Sequence, residues 1–561
     1  MYLRTIRIEN YRAVREASVT LDETTILIGE NDCGRSSVIE ALMLVLGPPG
    51  ETFEARLKPF HFHRKPDGTT GPLRVVLQVE EESPGRWGLP GSVEHAFPLV
   101  PGRKRQMDFE FKAVLDDATN QISYRCHWKP TKGSGTLTEC SPDVLEWIRK
   151  LVPVLWLRFG LLAPASEAAS ADSATDSAAG DPLFAALDLR YRNLISGNTP
   201  DFAAELEHGA RAARELMERY PQLFAGAVPM MSAMASEILN PRQVTSAVTE
   251  PTRSTAAHKI GVLLLLGSIL QLAHRSLLPQ GKPILVIENP ESNLHPITLA
   301  TVWRMIGRLS WQKIIATNSG TLLSNAPLSS IRRLTRNNGR VTEWSVTPRL
   351  LSRDNLRRVS YHLRSRRSSA MFARCWLLVE GETEYWIVPE LARVCGFDFS
   401  EEGVTCVEFA QCGLPPLTKL ADRLGIAWHV LVDGDDAGKR YADAAWKLLG
   451  SGSTPDPIMK VTRLRDRDIE HCFWNNGFAE VIQRIANRGG AVRGASAKAT
   501  IKRAIDRTSK PFLALSLIDA VAERGPASVP APLREMIESS VKLARQEPGK
   551  VDRPQGVPSK V

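Results

Sequence analysis

Acidic side chains stand directly after apolar strands in the C-terminal half of the sequence. Glu380 follows one such predicted strand, and Asp433 and Asp435 follow another. Because the carboxyl ends of parallel strands meet at one edge of an open sheet, we expect these carboxylates to share one cleft. Glu384 lies about one helical turn beyond Glu380 and can face the same cleft. Taken singly, Glu384 or Asp435 could instead cap a helix N-terminus.

A cleft that gathers several carboxylates requires cations to neutralise the repulsion between them. No set of His and Cys residues with metal-ligand spacing competes for this role in the sequence. Carboxylate oxygens are hard ligands, so the pattern favours Mg²⁺ or Mn²⁺ over Zn²⁺. The pattern therefore predicts a site for divalent cations at this edge of the sheet.

A second site, able to bind phosphate, is indicated near the N-terminus. Residues 29–36 have the spacing of a P-loop between an apolar strand and a helix, with arginine where lysine is usual. The backbone N–H groups of such a loop form an anion cradle, and its hydroxyl ligates Mg²⁺. Far downstream, another apolar strand ends in an acid, Glu288, as in a Walker B element. We expect ATP to be bound by Gly29, Asn31, Gly34, Arg35, Ser36, Ser37 and Glu288, with Ser36 also a metal ligand.

The elements that must position these residues alternate between strand and helix patterns. The first strands precede a predicted helix over residues 35–46, and short alternating runs over 73–128 indicate an antiparallel sheet. Two further α/β stretches follow, at 260–317 and 375–449. Such alternation predicts parallel sheets with helices on both faces. We therefore expect an α/β protein with at least two structural units.

The order of these motifs resembles that of OLD-family (overcoming lysogenization defect) endonucleases. In that family an ATPase head of the ABC class, from the branch that includes SMC proteins, precedes a Toprim domain. The matching segments in this chain are the P-loop, Glu288 with the Pro-Glu and Leu-His-Pro that follow it, Glu380, and Asp433 with Asp435. The resemblance implies an ABC/SMC-like P-loop head with a helical insertion, followed by a Toprim domain with a parallel sheet.

The resemblance also implies a second acidic pair and a lysine near the Toprim acids. Asp468 and Glu470 fit the pair, and Lys510 fits the lysine, with Lys498 and Lys502 as lower-ranked rivals. In the family such a lysine offsets charge on the phosphate that is being attacked. The resemblance thus implies two-metal hydrolysis of a phosphodiester. The implied catalytic set is Glu380, Glu384, Asp433, Asp435, Asp468, Glu470 and Lys510, and all but the lysine are expected to ligate metal.

The head departs from the family pattern at several positions. Asn289 stands where the family has the acid that activates water, and Asn318 stands where it has the switch histidine. The segment around residues 258–261 does not match the family's signature loop. Since loss of a catalytic base costs about two to four decades of rate, we expect slow hydrolysis of ATP or binding alone.

Arginine is concentrated at the join between the two α/β regions. The chain carries 71 Lys+Arg against 62 Asp+Glu, a formal charge of +9. Residues 331–374 contain twelve arginines and only two acids, so the rest of the chain is close to neutral. Because guanidinium groups suit phosphate, the pattern favours a salt-sensitive contact with the DNA backbone, although solvated surface is the ordinary fate of such charges.

Composition excludes several other classes of protein. Eight cysteines in 561 residues, without a CxxC motif, do not form a disulfide scaffold or a zinc ribbon and fit a cytoplasmic protein. No segment has the pattern of a signal peptide or the length of a membrane span. We expect DNA and a second copy of the chain, as a homodimer or higher homo-oligomer, to be its partners.

The sequence as a whole predicts an ATP-binding, metal-dependent DNA endonuclease, with phage defence as a role that the resemblance implies. One alternative is a non-catalytic, SMC-like DNA-binding ATPase module in repair or chromosome maintenance. Another is a topoisomerase- or primase-like Toprim enzyme, although no helical domain with a nucleophilic tyrosine is evident. The expected divisions are 1–158 and 251–345 for the head, 159–250 for a linker and a dimerising helical insertion, 346–374 for an Arg-rich connector, 375–520 for Toprim, and 521–561 for a helix and disordered tail.

Overall fold

The computed structural model of the chain divides into two compact units. The first comprises Met1–Ala326 and Ser330–Glu343, and the second comprises Pro327–Ser329 and Trp344–Val561. We call the first unit the head and the second the Toprim unit. The structure describes residues 2–47, 52–84, 103–130, 138–158, 202–220, 282–292, 296–307, 311–347, 349–366, 368–449, 460–487 and 496–546, with a few positions between 182 and 191 and residue 267.

Within its described residues, the head is built on one mixed sheet of twelve strands. The strands are β1 (Tyr2–Tyr11), β2 (Val14–Thr20), β3 (Thr24–Ile28), β4 (Leu73–Glu80), β5 (Gln106–Leu115), β6 (Ile122–Pro130), β7 (Thr138–Glu139), β8 (Val154–Arg158), β9 (Ile284–Glu288), β10 (Gln312–Ala316), β11 (Ile331–Asn337) and β12 (Arg340–Ser345). Their order across the sheet is β7-β6-β5-β4-β1-β2-β12-β11-β3-β10-β9-β8.

The two halves of this sheet have different strand directions. Strands β1, β2, β4, β5, β6 and β7 pair in antiparallel fashion, as the alternating runs predict. Strand β10 lies between β3 and β9 and runs parallel to both, with Ile314 opposite Thr25 and Val286. The described helices of the head are α1 (Arg35–Val45), α2 (Phe53–Arg56), α3 (Pro142–Leu151), α4 (Phe202–Arg219), α5 (Pro296–Gly307) and α6 (Gly320–Ser324).

The Toprim unit contains a four-stranded parallel sheet in the order β14-β13-β15-β16, counted over its described residues. The strands are β13 (Cys375–Val379), β14 (Val404–Glu408), β15 (Ala427–Val432) and β16 (Val461–Arg463). The chain passes from β13 to one neighbour and then returns to its other side. This reversal opens a crevice at the carboxyl ends of β13 and β15, where ligands of such sheets bind.

Helices cover both faces of the Toprim sheet. The described helices of this unit are α7 (Arg353–Arg366), α8 (Glu382–Val394), α9 (Phe399–Glu402), α10 (Leu414–Arg423), α11 (Asp436–Leu449), α12 (Ile469–Phe473), α13 (Ala479–Ala486), α14 (Ala497–Arg507), α15 (Lys510–Arg524) and α16 (Ala531–Arg545). Apolar side chains of α8, α15 and α16 share one core with alternate residues of β13, such as Cys375, Leu377 and Val379. Burial of these faces holds the strand ends in a fixed arrangement.

The first part of the Arg-rich segment belongs to the head sheet. Arg332 lies on β11, is 5% exposed and forms ion pairs with Asp22 and Glu343. Its neighbour Arg333 is 2% exposed. Arg336 and Arg340 also pair with acids of the head, Asp32 and Glu16. The DNA-backbone contact that the sequence favours for the Arg-rich segment is therefore wrong for Arg332 and Arg333, because they are buried in the head sheet.

Several predicted features lie outside the described residues. They are the linker at 164–180, the helix at 260–277, the segment at 258–261, most of the Leu-His-Pro turn and the tail after residue 546. Of the proposed dimerising insertion, the structure describes α4 and a few isolated positions. No described helix has both the length and the apolar character needed to cross a membrane.

Candidate functional site

The phosphate loop, residues 29–34, joins β3 to α1 in the head. A Cβ atom at Gly29 would lie 2.4 Å from the carbonyl oxygen of Leu334, so the strand packing leaves room only for glycine. Gly34 precedes α1 with φ 99°, a left-handed conformation that favours glycine. No described side chain caps this N-terminus of α1. The loop therefore offers backbone N–H groups to an anion, and Ser36 is exposed beside it.

The arginine in the lysine position of the loop has an internal partner. Arg35 is 7% exposed, and its Nη1 donates to the carbonyl oxygen of Thr317 over 2.8 Å. Thr317 follows β10, directly before Asn318. Arg35 thus links the start of α1 to the end of the neighbouring strand, which is a structural role that the sequence did not predict.

The acid at the end of β9 is also bound within the protein. Glu288 is 7% exposed and accepts a hydrogen bond of 3.0 Å from Trp156 Nε1. Downstream, Glu291 accepts 2.7 Å hydrogen bonds from Thr317 Oγ1 and from the backbone N–H of Asn318. Sequence reasoning missed both contacts. Trp156 lies on β8, which pairs with β9 in the sheet but is far from it in the sequence.

The remaining residues predicted to bind nucleotide, Asn31 and Ser37, lie in the phosphate loop and at the start of α1. Asn31 is exposed and Ser37 is half-buried. Asn289 has φ 48°, and its backbone N–H donates to Ala316 over 2.9 Å. Cys33 is buried, and burial raises the pKa of its thiol, so it fills space in the loop rather than acting as a nucleophile. The glycines, the uncapped helix and the hydroxyl fit a bound nucleotide phosphate.

The carboxylate cluster comprises the acids at the carboxyl edge of the Toprim sheet: Glu380, Glu384, Asp433, Asp435, Asp468 and Glu470. Asp433 follows β15, and burial together with the charges of Glu384, Glu380, Asp468 and Glu470 raises its pKa to about 8. These acids come from different strand ends and act on one another. The structure therefore brings together the acids that the sequence predicts for one cleft.

Glu380 and Glu384 lie on either side of the turn from β13 to α8. Burial and the charge of Asp435 raise the pKa of Glu380, and its Oε2 is buried with no hydrogen-bond partner in the described structure. Glu384 is 7% exposed and accepts a 3.0 Å hydrogen bond from the N–H of Gly381. Burial is also the main reason why the pKa of Glu384 is raised.

Some cluster acids also cap helices, as the alternative interpretation expects. Asp435 Oδ1 accepts from the N–H of Gly438 over 2.8 Å at the start of α11. Asp468 Oδ1 accepts from the N–H of His471 over 2.8 Å at the start of α12. Each cap uses one carboxylate oxygen, so capping and a second ligand can share the same side chain.

The second acidic pair, Asp468 and Glu470, lies at the start of α12. Glu470 is 5% exposed, and burial and the charge of Asp468 raise its pKa. Thr383 Oγ1 donates to Glu470 Oε1 over 3.3 Å, a contact that sequence reasoning missed. Lys510 opens α15, is exposed, and lowers the pKa of Glu380, Glu384 and Glu470 by its charge. These effects favour Lys510 over the rival lysines.

The donor set fits a hard divalent cation. All candidate ligands in this cluster are carboxylates, and one buried oxygen of Glu380 has no partner in the described structure. Burial and the acidic neighbours of Asp433 together raise its pKa. Among the described His, Cys, Asp and Glu side chains, no three are close enough to form a finished metal cage. The acids thus form an electrostatic cluster rather than a preformed coordination shell.

Two protein-family models match the chain over consecutive segments. The model described as "Protein of unknown function (DUF2813)" matches residues 1–370, and the model described as "Overcoming lysogenization defect protein-like, TOPRIM domain" matches residues 371–435. The second match contains β13, β15 and the acids Glu380, Glu384, Asp433 and Asp435. The α/β fold with a C-terminal Toprim domain, predicted from the sequence, is confirmed.

A curated relative extends over nearly the whole chain. "Uncharacterized protein YbjD" of Escherichia coli (strain K12) is 32% identical over 568 residues, which cover 97% of this chain and 99% of the relative. The C-terminal region of the Burkholderia pseudomallei OLD protein is 20% identical, covering 31% of this chain and 99% of that one, with a TM-score of 0.26.

The head also has a likeness among solved structures. The SMC head domain from Thermotoga maritima is 12% identical, covering 62% of this chain and 100% of that one, with a TM-score of 0.30. Likenesses of this strength carry no conclusion about activity. The match over residues 1–370 and the near full-length relative do establish the family: this chain belongs to the DUF2813 family and carries an OLD-like TOPRIM domain at its C-terminal side.

Proposed function

We propose that this protein is a divalent-metal-dependent DNA endonuclease whose head binds ATP. The observation that carries the proposal is the carboxylate cluster, in which burial and the charges of four other acids raise the pKa of Asp433 to about 8. Repulsion between the carboxylates destabilises the protein when no cation is bound. Metal ions that bind there remove the repulsion, and this relief adds to their affinity. The OLD-like TOPRIM match supports a nuclease-type domain.

The cluster divides naturally into two sets of ligands. Glu380, Asp433 and Asp435 follow the ends of β13 and β15 and would hold one cation. The other cation would be held by Glu384 of α8 and by Asp468 and Glu470 at the start of α12. When bound, such a pair supplies an activated water and neutralises charge on the phosphate under attack.

Lys510 has a separate role in the proposal. Its position at the first turn of α15 brings a positive charge near three cluster acids while leaving the side chain exposed. An exposed cation at the rim of an acidic cleft can meet a phosphate oxygen that approaches the cluster. Lys510 would therefore stabilise the charge that develops on the phosphate.

The head is proposed to bind ATP and to hydrolyse it slowly. The phosphate loop supports binding, because α1 has no side-chain cap in the described structure and Ser36 is exposed. Slow hydrolysis follows from Asn289 and Asn318, since neither amide can take a proton from water. Nucleotide would then organise a dimer through the insertion at 159–250, within the domain divisions that the sequence predicts.

DNA would be held by the arginines that remain outside the head sheet. Helix α7 exposes Arg357 and Arg364, and Tyr361 between them is 72% exposed. These positions recur at helical spacing and lie on one face of α7. Contacts from this face would be to phosphates and would not read sequence. Defence against phage remains the role that the OLD resemblance implies.

The test of the proposal is cleavage of supercoiled plasmid by the full-length protein with Mg²⁺ or Mn²⁺, with and without ATP. We expect nicked or linear product, and a loss of more than about 100-fold in rate in Asp433→Asn. Asp443→Asn is the matched control, because this exposed acid lies on α11 outside the cluster. Full activity in Asp433→Asn would overturn the assignment.

A non-catalytic DNA-binding module is the second candidate. The capping contacts of Asp435 and Asp468 favour it, because they give these acids a structural reason to be present. It predicts DNA binding with no change in the plasmid. Relaxed topoisomers would instead indicate the strand-passing alternative.

A further inference from the structure

Three exposed arginines lie on the connection between β16 and α12. Arg463 ends β16, and Arg465 and Arg467 follow at alternate positions. Between them, Leu464 is buried and Asp466 is half-buried. The alternation of exposed and covered residues therefore directs all three arginines of this short segment to solvent.

The backbone of this segment is fixed against the loop that carries Asp433 and Asp435. The N–H of Gly434 donates to the carbonyl oxygen of Asp466 over 3.0 Å. A Cβ atom at Gly434 would lie 2.1 Å from that oxygen and 2.8 Å from the carbonyl oxygen of Leu464. The two loops are thus in direct contact, and the arginines border the carboxylate cluster.

The acid within the segment does not neutralise the arginines. Asp466 Oδ1 accepts a 2.6 Å hydrogen bond from Asn475 Nδ2. Arg463 donates to the carbonyl oxygen of Gly434 over 3.0 Å, and Arg467 Nε lies 4.0 Å from Asp468 Oδ2. Arg465 makes no hydrogen bond or ion pair in the part of the chain that the structure describes. Positive charge therefore remains exposed at the border of a strongly acidic cleft.

We propose that Arg465 and Arg467, with Arg463 bracing the loop, hold the phosphates of a nucleic acid on either side of the bond presented to the carboxylate cluster. The planar guanidinium matches phosphate by two parallel hydrogen bonds. Acidic residues at the cluster repel a polyanion, so a neighbouring positive rim is needed to retain it before and during the reaction. The inference rests on the proposed function, because it names how that site retains its substrate.

The arginines are positioning residues, so the test separates binding from cleavage. Fluorescence anisotropy measures the affinity of the full-length protein for labelled duplex and single-stranded DNA in EDTA, between 50 and 200 mM salt. The double variant Arg465→Gln with Arg467→Gln should lower the slope of log Kd against log salt by about 2. The single variant Arg465→Gln should lower it by about 1. The same double variant should raise KM more than it lowers kcat.

A double variant, Arg423→Gln with Arg484→Gln, is the matched control. Both arginines are exposed in the same unit. Arg423 ends α10 shortly before the amino end of β15, whereas the carboxylate cluster lies at the carboxyl ends of the strands. A salt slope equal to that of the wild type in the Arg465/Arg467 variant, with its melting temperature unchanged, would overturn the inference. If the variants lower the salt slope as predicted but the wild-type protein cleaves no DNA, the nuclease proposal is overturned and the binding surface is still supported.

Discussion

Around the phosphate loop, Arg35 donates to Thr317, and the acids Glu288 and Glu291 have hydrogen-bond partners inside the head. In the carboxylate cluster, Glu380 keeps a buried oxygen without a partner in the described structure, and Asp433 is surrounded by acids. The charged groups of the first region are paired within the protein, whereas the carboxylates of the second repel one another and would be neutralised by the cations of the proposed function. Two sites that are both recognised from sequence motifs can therefore differ in how much chemistry their charges are free to perform.

The largest expected effect is a loss of catalysis, without a loss of stability, in the Toprim unit. Lys510→Ala should lower the rate of DNA cleavage by about 10²- to 10³-fold, as removal of a group that stabilises developing charge does. The melting temperature should not fall, because Lys510 is exposed. Plasmid cleavage and thermal unfolding measure both effects, with Lys498→Ala as the control. An unchanged rate would remove Lys510 from the site.

In the head, the loss of Arg35 should lower stability. Arg35→Ala removes a buried, charged hydrogen bond to Thr317, and we expect the free energy of unfolding to fall by about 1.5–3 kcal/mol. Denaturant unfolding measures this loss. Arg340→Ala is the control, since its ion pair with Glu16 is exposed and should contribute less than about 1 kcal/mol. Equal stability of the two variants would contradict a structural role for Arg35.

A smaller effect is expected in the pH dependence of the metal-free protein. The pKa of Asp433 is raised from 3.8 to about 8, so the folded state binds this proton more tightly than the unfolded state. The stability that this proton provides is lost as the pH rises from about 4 to about 8. Asp433→Asn should flatten that part of the profile in thermal unfolding. A variant profile parallel to that of the wild type would be inconsistent with the cluster.

The smallest expected effect has the opposite sign and lies in the head. Burial and the charges of Arg12, Lys58 and Arg56 lower the pKa of His61 to about 4. A neutral histidine is therefore favoured by folding, and its contribution is lost as the pH falls from about 6.5 to about 4. His61→Gln should reduce acid sensitivity in the same experiment. If the variant becomes more sensitive to acid, this explanation is wrong.

The sequence predicted those parts of the molecule that depend on local pattern. The ends of β13 and β15 follow from short apolar runs, so the approach of Glu380 to Asp433 could be inferred without coordinates. The partner of Arg332 could not, because Asp22 lies far away in the chain and is brought near by sheet pairing. The same reason hid the contact between Trp156 and Glu288.

Binding of Mn²⁺ to the full-length protein, measured by isothermal titration calorimetry in buffers of different ionisation enthalpy, tests the central claim most directly. At pH 7 and without nucleotide, binding at the cluster should release about one proton, because the pKa of Asp433 is about 8 in the metal-free protein. Ser36→Ala should retain this binding, and Asp433→Asn should lose both the affinity and the proton release. The absence of Mn²⁺ binding in the wild type, or binding that Asp433→Asn leaves unchanged, would contradict the account.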